Sequence, residues 1–300
     1  MERVTLSETL ELSRIVAGAW RLDNWGFNKE NTLDYIKDNI EMGITSFDNA
    51  DIYGFYTCED KFGEALELDK GIREKIEIIT KCGIGLPCDG KPEIKVPYYD
   101  SSKKHIISSV ENSLKNFRTD YIDLLLIHRP DFLMDPSDVA EAFNKLHKEG
   151  KVLNFGVSNF KPSQVSMLSS FLEMPLVTNQ VEISVGKLDS FIDGTLDQCL
   201  ERDIKPMAWS PLVGGRVFTS DEDKFLRLRN TLEEVKENIG ASSIDEVMYS
   251  FLLKHPSKIL PIVGSSKLER IKLAVNALDL HMEVQDWYKI WQSSTGRRID

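Results

Sequence analysis

The stretch Thr45–Gly54, TSFDNADIYG, opens as a short apolar strand and breaks abruptly into Asp48, Asn49, Asp51 and Tyr53 before a glycine. Two carboxylates and a phenol at the end of a buried strand are poor core material. They are good material for a site held at the mouth of a scaffold. Three further runs end in the same way: IEIITKCG with Lys81, IDLLLIHRP with His128, and NFGVSNF with Ser158 and Asn159. The chain reads as a device for bringing these strand ends together.

Toward the N-terminus, Val4, Leu6, Leu10 and Leu12 alternate with polar residues around Ser7-Glu8-Thr9, which predicts a hairpin. SRIVAGAW follows as a first buried strand. Leu33, Ile36 and Ile40 then recur at helical spacing, with Gly43 as a stop. Beyond Tyr53 the alternation continues with a helix over 59–68, the strand IEIIT and a loop rich in Gly and Pro over 83–97. The next helix carries Ile107, Val110 and Leu114, and Ser101 can cap it. IDLLLIH is continuously apolar, as a strand covered on both faces must be.

Val139, Phe143 and Leu146 mark another helix, VLNFGVS a strand, Val165, Leu168 and Leu172 a helix, and LVTNQVEI a strand. A short helix around 196–200 leads to KPMAWSP. Helices over 222–239 and 243–254 precede the last strand, KILPIVGS, and the helix KLERIKLAVNAL. A tail helix follows, with Trp287 and Trp291 one turn apart and expected to pack it down. About eight strands alternating with helices demand a parallel sheet with helices outside. The expected fold is α/β: a (β/α)8 TIM barrel with an N-terminal β-hairpin and extra C-terminal helices, one domain over residues 1–300. The rival, an open doubly wound sheet, usually announces itself with a GxGxxG turn that the early strands lack.

Composition excludes several classes. With 48 acidic against 37 basic residues the net charge is -11, which argues against nonspecific nucleic-acid binding yet leaves room for a local phosphate pocket. The four cysteines form no CxxC pair, so neither a metal site nor a disulfide framework is expected. There is no apolar signal region and no run long enough to span a membrane. The expectation is a cytoplasmic protein with no membrane partner. It is taken as a monomer, because no apolar stripe demands a partner.

In such a barrel, function collects at the C-terminal strand ends. Asp48, Lys81 and His128 end the second, third and fourth strands, and Tyr53 lies in the loop after the second. A free tyrosine is a poor acid at neutral pH. An ammonium beside it is expected to lower its pKa by stabilising the phenolate. Tyr53 is therefore a candidate proton donor to a carbonyl oxygen, tuned by Lys81 and Asp48, with His128 orienting the substrate.

FDNADIYG, IITKCG, LLLIHRP, FGVSNF, NQVEI, WSPL and PIVGSSKLERI, in this order and spacing, make the chain resemble an aldo-keto reductase over nearly its full length. The resemblance implies a barrel that reduces aldehydes and ketones with NADPH, using an Asp, Tyr, Lys and His tetrad. Those roles fall on Asp48, Tyr53, Lys81 and His128. It further implies that Ser158, Asn159 and Gln180 hold the nicotinamide carboxamide and that Trp209 stacks on the ring. Ser210, Leu212, Gly214 and Gly215 would follow the pyrophosphate, and Ser265, Lys267 and Arg270 would clamp the 2′-phosphate.

Trp20 resembles the family's substrate-pocket aromatic, and Trp25, Phe55 and Tyr56 lie in loops that could wall the pocket. Four positions depart from common family patterns. Leu273-Ala274 stands where Glu-Asn is common, Asn49 replaces a small residue, and Arg129 follows His128 where tryptophan is frequent. Arg129 faces either the pocket or a salt bridge; in the pocket, its charge would favour an anionic or strongly polar substrate. Two alternatives stand beside the reductase. One is an NADPH-binding redox-sensing regulatory subunit with low turnover. The other is a non-redox barrel enzyme such as an isomerase, which leaves the nicotinamide and 2′-phosphate matches unexplained.

Overall fold

The computed structural model describes residues 1–299. The hairpin is β1 (Arg3–Ser7) paired antiparallel with β2 (Leu10–Ser13). In chain order there follow β3 (Val16–Gly18), α1 (Lys29–Glu41), β4 (Ser46–Asp48), α2 (Cys58–Leu68) and β5 (Glu77–Cys82). A small excursion, β6 (Ile84–Gly85) with β7 (Tyr98–Tyr99), interrupts the predicted loop. Then come α3 (Lys103–Phe117), β8 (Ile122–Ile127), α4 (Pro136–Lys148), β9 (Val152–Ser158), α5 (Pro162–Ser169) and β10 (Leu176–Glu182). The rest is α6 (Thr195–Glu201), β11 (Met207–Trp209), α7 (Arg216–Thr219), α8 (Asp223–Ile239), α9 (Ile244–Leu253), β12 (Leu260–Val263), α10 (Leu268–Asn276) and α11 (Val284–Thr295). The strands β3-β4-β5-β8-β9-β10-β11-β12 close into a parallel eight-stranded barrel, the expected architecture.

Two compact units divide the chain: Met1–Gln180 with Gly264–Ser266, and Val181–Val263 with the residues from Lys267 on. In the first, strand parity decides which side chains reach the interior. Phe47 points outward, its ring 5.4 Å from Phe62 of α2, so its neighbour Asp48 points inward. Thr80 points outward and donates to Glu59 of α2 at 2.6 Å, so Lys81 points inward. The register pairs Asp48 with Ile79 and Lys81 with Leu126, which sets three successive strand ends side by side.

Helix starts follow local chemistry. The side chain of Asn28 accepts from the Asn31 amide and that of Asp135 from the Ser137 amide, each satisfying an orphan donor. Three local expectations are corrected. Ser102, not Ser101, caps α3 by accepting from the His105 amide, while Ser101 donates from both its amide and its hydroxyl to Asp131. Ile106 rather than Ile107 is the fully buried residue of that turn. Helix α5 stops at Ser169, so Leu172 falls in the turn beyond it.

The second unit has its own apolar core, in which Phe225, Leu228 and Leu232 of α8 meet Val247 and Phe251 of α9. Trp287 stacks on Phe251 at 4.6 Å and donates to its carbonyl at 3.0 Å. Trp291 lies 5.5 Å from Trp287, and both edge against Phe191, so the two tryptophans pack the tail helix as expected. Among the described residues no helix is long and apolar enough to cross a membrane.

Candidate active site

Lys81 lies at the centre of the first unit's site. Its ammonium, fully buried, donates to Asp48 Oδ2 at 2.9 Å, to the Asn49 carbonyl at 2.6 Å and to the Tyr53 hydroxyl oxygen at 2.9 Å. Three acceptors use all three donors of an ammonium. Because Lys81 donates to Tyr53, the phenolic proton is left to point elsewhere. A buried ion pair stripped of water is stable only when its remaining valences are satisfied in this way.

Hydrogen bonds extend from that centre through the other predicted residues of the unit. Gln180 Nε2 donates to Asp48 Oδ1 at 2.7 Å, which holds the second carboxylate oxygen. The Gln180 carbonyl accepts from Ser158 Oγ at 2.8 Å and from the Asn159 amide at 2.9 Å. Asn159 Nδ2 reaches both Ser158 Oγ at 2.8 Å and the His128 carbonyl at 3.3 Å. Asp48, Tyr53, Lys81, Gln180, Ser158, Asn159 and His128 thus form one connected set. Nothing in the local sequence announced the bond from Gln180 to Asp48, which joins residues 132 positions apart.

The rings of Tyr53 and His128 meet edge to face at 5.9 Å. His128 Nδ1 is buried and has no hydrogen-bond partner, an orphan of the kind that marks a functional position. Burial, then the charges of Lys81 and Arg129, holds the His128 pKa well below the usual histidine range, so the imidazole is neutral at neutral pH. Burial works against the Lys81 charge, but Asp48 and Tyr53 more than offset it, and the ammonium's pKa is raised.

The expectation for Tyr53 is reversed. Burial outweighs the ammonium, and the phenol is pushed up to about 12. Desolvating a phenolate disfavours it more than one nearby cation, already shared with a carboxylate, can repay.

The turn after the tetrad strand is unusual. Gly54, Phe55 and Tyr56 lie in succession at positive φ (59°, 55° and 73°). A Cβ on Gly54 would fall 2.6 Å from Thr57 Oγ1 and 2.8 Å from Cys58 Sγ, so only glycine fits. Strain of this kind collects at functional turns. Phe55 is left 65% exposed and Trp20 60% exposed, with the Arg21 guanidinium 5.1 Å over the Trp20 ring.

Beside Asp51, already named from the sequence, lies a second acid that sequence reasoning missed, Glu59 of α2. Glu59 is buried and accepts from Thr80, Ser113 and Asn116. Asp51 has a buried, unpartnered Oδ1. Burial first, then the charge of Glu59, raises the Asp51 pKa well above the carboxylate range. Asn49, wholly buried, has neither side-chain polar atom bonded.

The remaining predicted residues are placed as follows. Ser265, half-buried, follows β12. In the second unit Trp209 ends β11, half-buried, and leads into a loop in which Ser210, Val213, Gly214 and Gly215 all have positive φ (51°, 57°, 62° and 88°). A Cβ built on Gly214 or Gly215 would meet nothing within 4 Å, so open ground lies above that backbone. Leu212 lies inside the same loop. Lys267 and Arg270 are exposed at the start of α10, the Arg270 amide bonding the Lys267 carbonyl at 3.0 Å. Ala274 is fully buried and offers no surface to a ligand.

The aldo/keto reductase family model matches residues 14–294. The chain is 53% identical over 299 residues to the uncharacterized oxidoreductase YcsN of Bacillus subtilis, covering 100% of both chains. It is 41% identical over 303 residues to a 6-dehydroglucose reductase of Agrobacterium fabrum, again covering 100% of both. The crystal structure of the thermostable aldo-keto reductase Tm1743 superposes with a TM-score of 0.82 at 26% identity, covering 98% of this chain and 100% of that one.

Proposed function

The chain belongs to the aldo/keto reductase family and is an oxidoreductase; from that premise we propose that it reduces aldehydes or ketones with NADPH, Tyr53 acting as general acid. The observation that carries this reading is the Lys81 ammonium bridging Asp48 Oδ2 and the Tyr53 hydroxyl at 2.9 Å each. A phenol whose oxygen accepts from a buried cation keeps its proton for a substrate oxygen, and the negative charge that develops on it as the proton leaves is met at once. The neutral His128 imidazole, hydrogen-bonding the same carbonyl oxygen, would orient it toward Tyr53. Asp48 keeps Lys81 charged and fixed, and Gln180 keeps Asp48 fixed.

The residues suit a nicotinamide cofactor. Ser158, Asn159 and Gln180 present a hydroxyl and two carboxamides, the donors and acceptors that a carboxamide ligand requires. In the second unit, the bare backbone at Gly214 and Gly215 leaves room for a diphosphate beside Ser210 and Leu212. Trp209 offers a flat face for a ring. Lys267 and Arg270, with Ser265, are proposed for the 2′-phosphate. A bound NADPH would supply the hydride, and the residues named here bind, orient and move the proton.

The Agrobacterium relative's name points to an oxidised sugar as the class of carbonyl to try first. The exposed faces of Trp20 and Phe55 suit the C–H face of a sugar ring, and Arg129 beside His128 suits a strongly polar substrate. The assay follows NADPH absorbance with a nitrobenzaldehyde and with a polyhydroxylated aldehyde, comparing the native protein with Tyr53→Phe. Turnover in the native protein and its loss in Tyr53→Phe, with cofactor binding retained, is the expected result. Full activity in Tyr53→Phe would refute the assigned acid. Tight cofactor retention with negligible turnover in the native protein would favour the regulatory reading instead.

A further inference from the structure

Helices α8 and α11 of the second unit, with the residues after α11, border a shallow, open concavity of about 440 Å³. Arg227, Thr231, Lys289, Gln292, Arg297 and Arg298 line it, together with Glu234. Lys289 is neutralised there, 2.7 Å from Glu234 and 3.7 Å from Asp286. Among the described residues, no carboxylate pairs with the guanidinium of Arg227, Arg297 or Arg298. Arg227 spends its Nε on the Ser293 carbonyl at 2.8 Å, which anchors the group without cancelling its charge. Gly296, at φ 74°, leaves room for that guanidinium, since a Cβ there would fall 2.9 Å from Arg227 Nη2. Arg297 and Arg298 are exposed, and among the described residues neither side chain has an ion pair or hydrogen bond.

This is unusual in a chain with 48 acidic residues against 37 basic ones. Several arginines elsewhere pair with carboxylates: Arg3 with Glu77 at 2.7 Å, Arg73 with Asp123 at 2.8 Å, Arg118 with Asp60 at 2.7 Å, and Arg216 with Glu222 at 3.1 Å. Three uncancelled guanidiniums at one concavity repel one another unless an anion sits among them. The planar fork of arginine matches the oxygens of a phosphate in bidentate fashion. Thr231 and Gln292 add neutral hydrogen-bonding groups at the same wall, with Thr231 Oγ1 held 2.9 Å from Ser293 Oγ. We infer that this cavity is a binding site for a phosphate-class oxyanion, formed by Arg227, Arg297 and Arg298. A free phosphate or phosphorylated metabolite and a phospholipid headgroup share that chemistry.

Calorimetric titration of the full chain with inorganic phosphate tests it. The titration is done in a Lys267→Ala/Arg270→Ala background, so the residues proposed for the cofactor's 2′-phosphate do not contribute. Saturable binding at one site is expected, weakened by at least about tenfold in Arg297→Gln/Arg298→Gln, as loss of two charge-assisted contacts implies. Arg227→Lys keeps the charge and loses the fork, and it should weaken binding less. Carbonyl turnover of Arg297→Gln/Arg298→Gln in the otherwise native chain should be unchanged, which separates this site from the catalytic reading. Co-sedimentation with phosphatidate but not phosphatidylcholine vesicles, lost in the same double variant, would identify the headgroup as the source. Absence of both phosphate and vesicle binding, or binding that the double substitution leaves intact, would overturn the inference.

Discussion

Lys81 and Arg298 are both cations in an acidic chain, and their surroundings are opposite. Lys81 is fully buried and meets three acceptors within 2.9 Å. Arg298 is exposed and, among the described residues, its side chain meets none. Inside the fold no water can solvate a charge, so every donor of Lys81 has to be matched by protein. At the surface, water already solvates the cation, and an unmatched guanidinium remains available to a ligand. A third case lies between them. Asp51 has a buried oxygen that nothing matches, and its carboxyl responds by holding its proton.

The sharpest way to break this contrast is Lys81→Met. It should lower turnover by about 10²–10⁴-fold, the range lost with acid–base machinery. It should also leave Asp48 buried without its cation, a loss of about 3–5 kcal/mol in stability. NADPH consumption and urea unfolding read the two effects separately. Destabilisation below about 1 kcal/mol would mean that water enters the site and that the matching argument fails.

Asp51→Asn tests the intermediate case through pH. The folded pKa of Asp51 is raised, so this group contributes stability below its unfolded value near 3.8 and loses it as pH rises through the folded value. The asparagine variant lacks that loss. It should equal the native protein in acid and become the more stable of the two toward neutral and alkaline pH, read as urea midpoints across the range. A constant difference at all pH values would show that Asp51 is ionised in the fold. The smallest effect belongs to an exposed, matched pair. Lys103 and Glu141 lie 2.6 Å apart with side chains 42% and 61% exposed, and Glu141→Gln should move stability by only about 0–1 kcal/mol.

Much of the arrangement was legible beforehand because strand and helix periodicities are local. Alternation of apolar runs and helical stripes predicted the barrel, and parity along IEIITKC and TSFD is enough to turn Lys81 and Asp48 inward together. Errors arose where two neighbouring residues compete for one role. Ser101 and Ser102 are equivalent caps by residue type; the bonds from Ser101 to Asp131 decide between them. Ile106 and Ile107 are equivalent by hydropathy, and only the packing direction of α3 separates them.

The sequence by itself determined the order of strands and helices and the polar residues at the strand ends, because those depend on spacing along the chain. Tertiary structure alone decided that Gln180 would hold Asp48, that Asp51 and Asn49 would carry unmatched polar atoms, and that Tyr53 would keep its proton up to about 12 despite an adjacent ammonium. Those outcomes are differences between desolvation and pairing. Both quantities depend on distances through space between residues far apart in the chain, which no local pattern encodes.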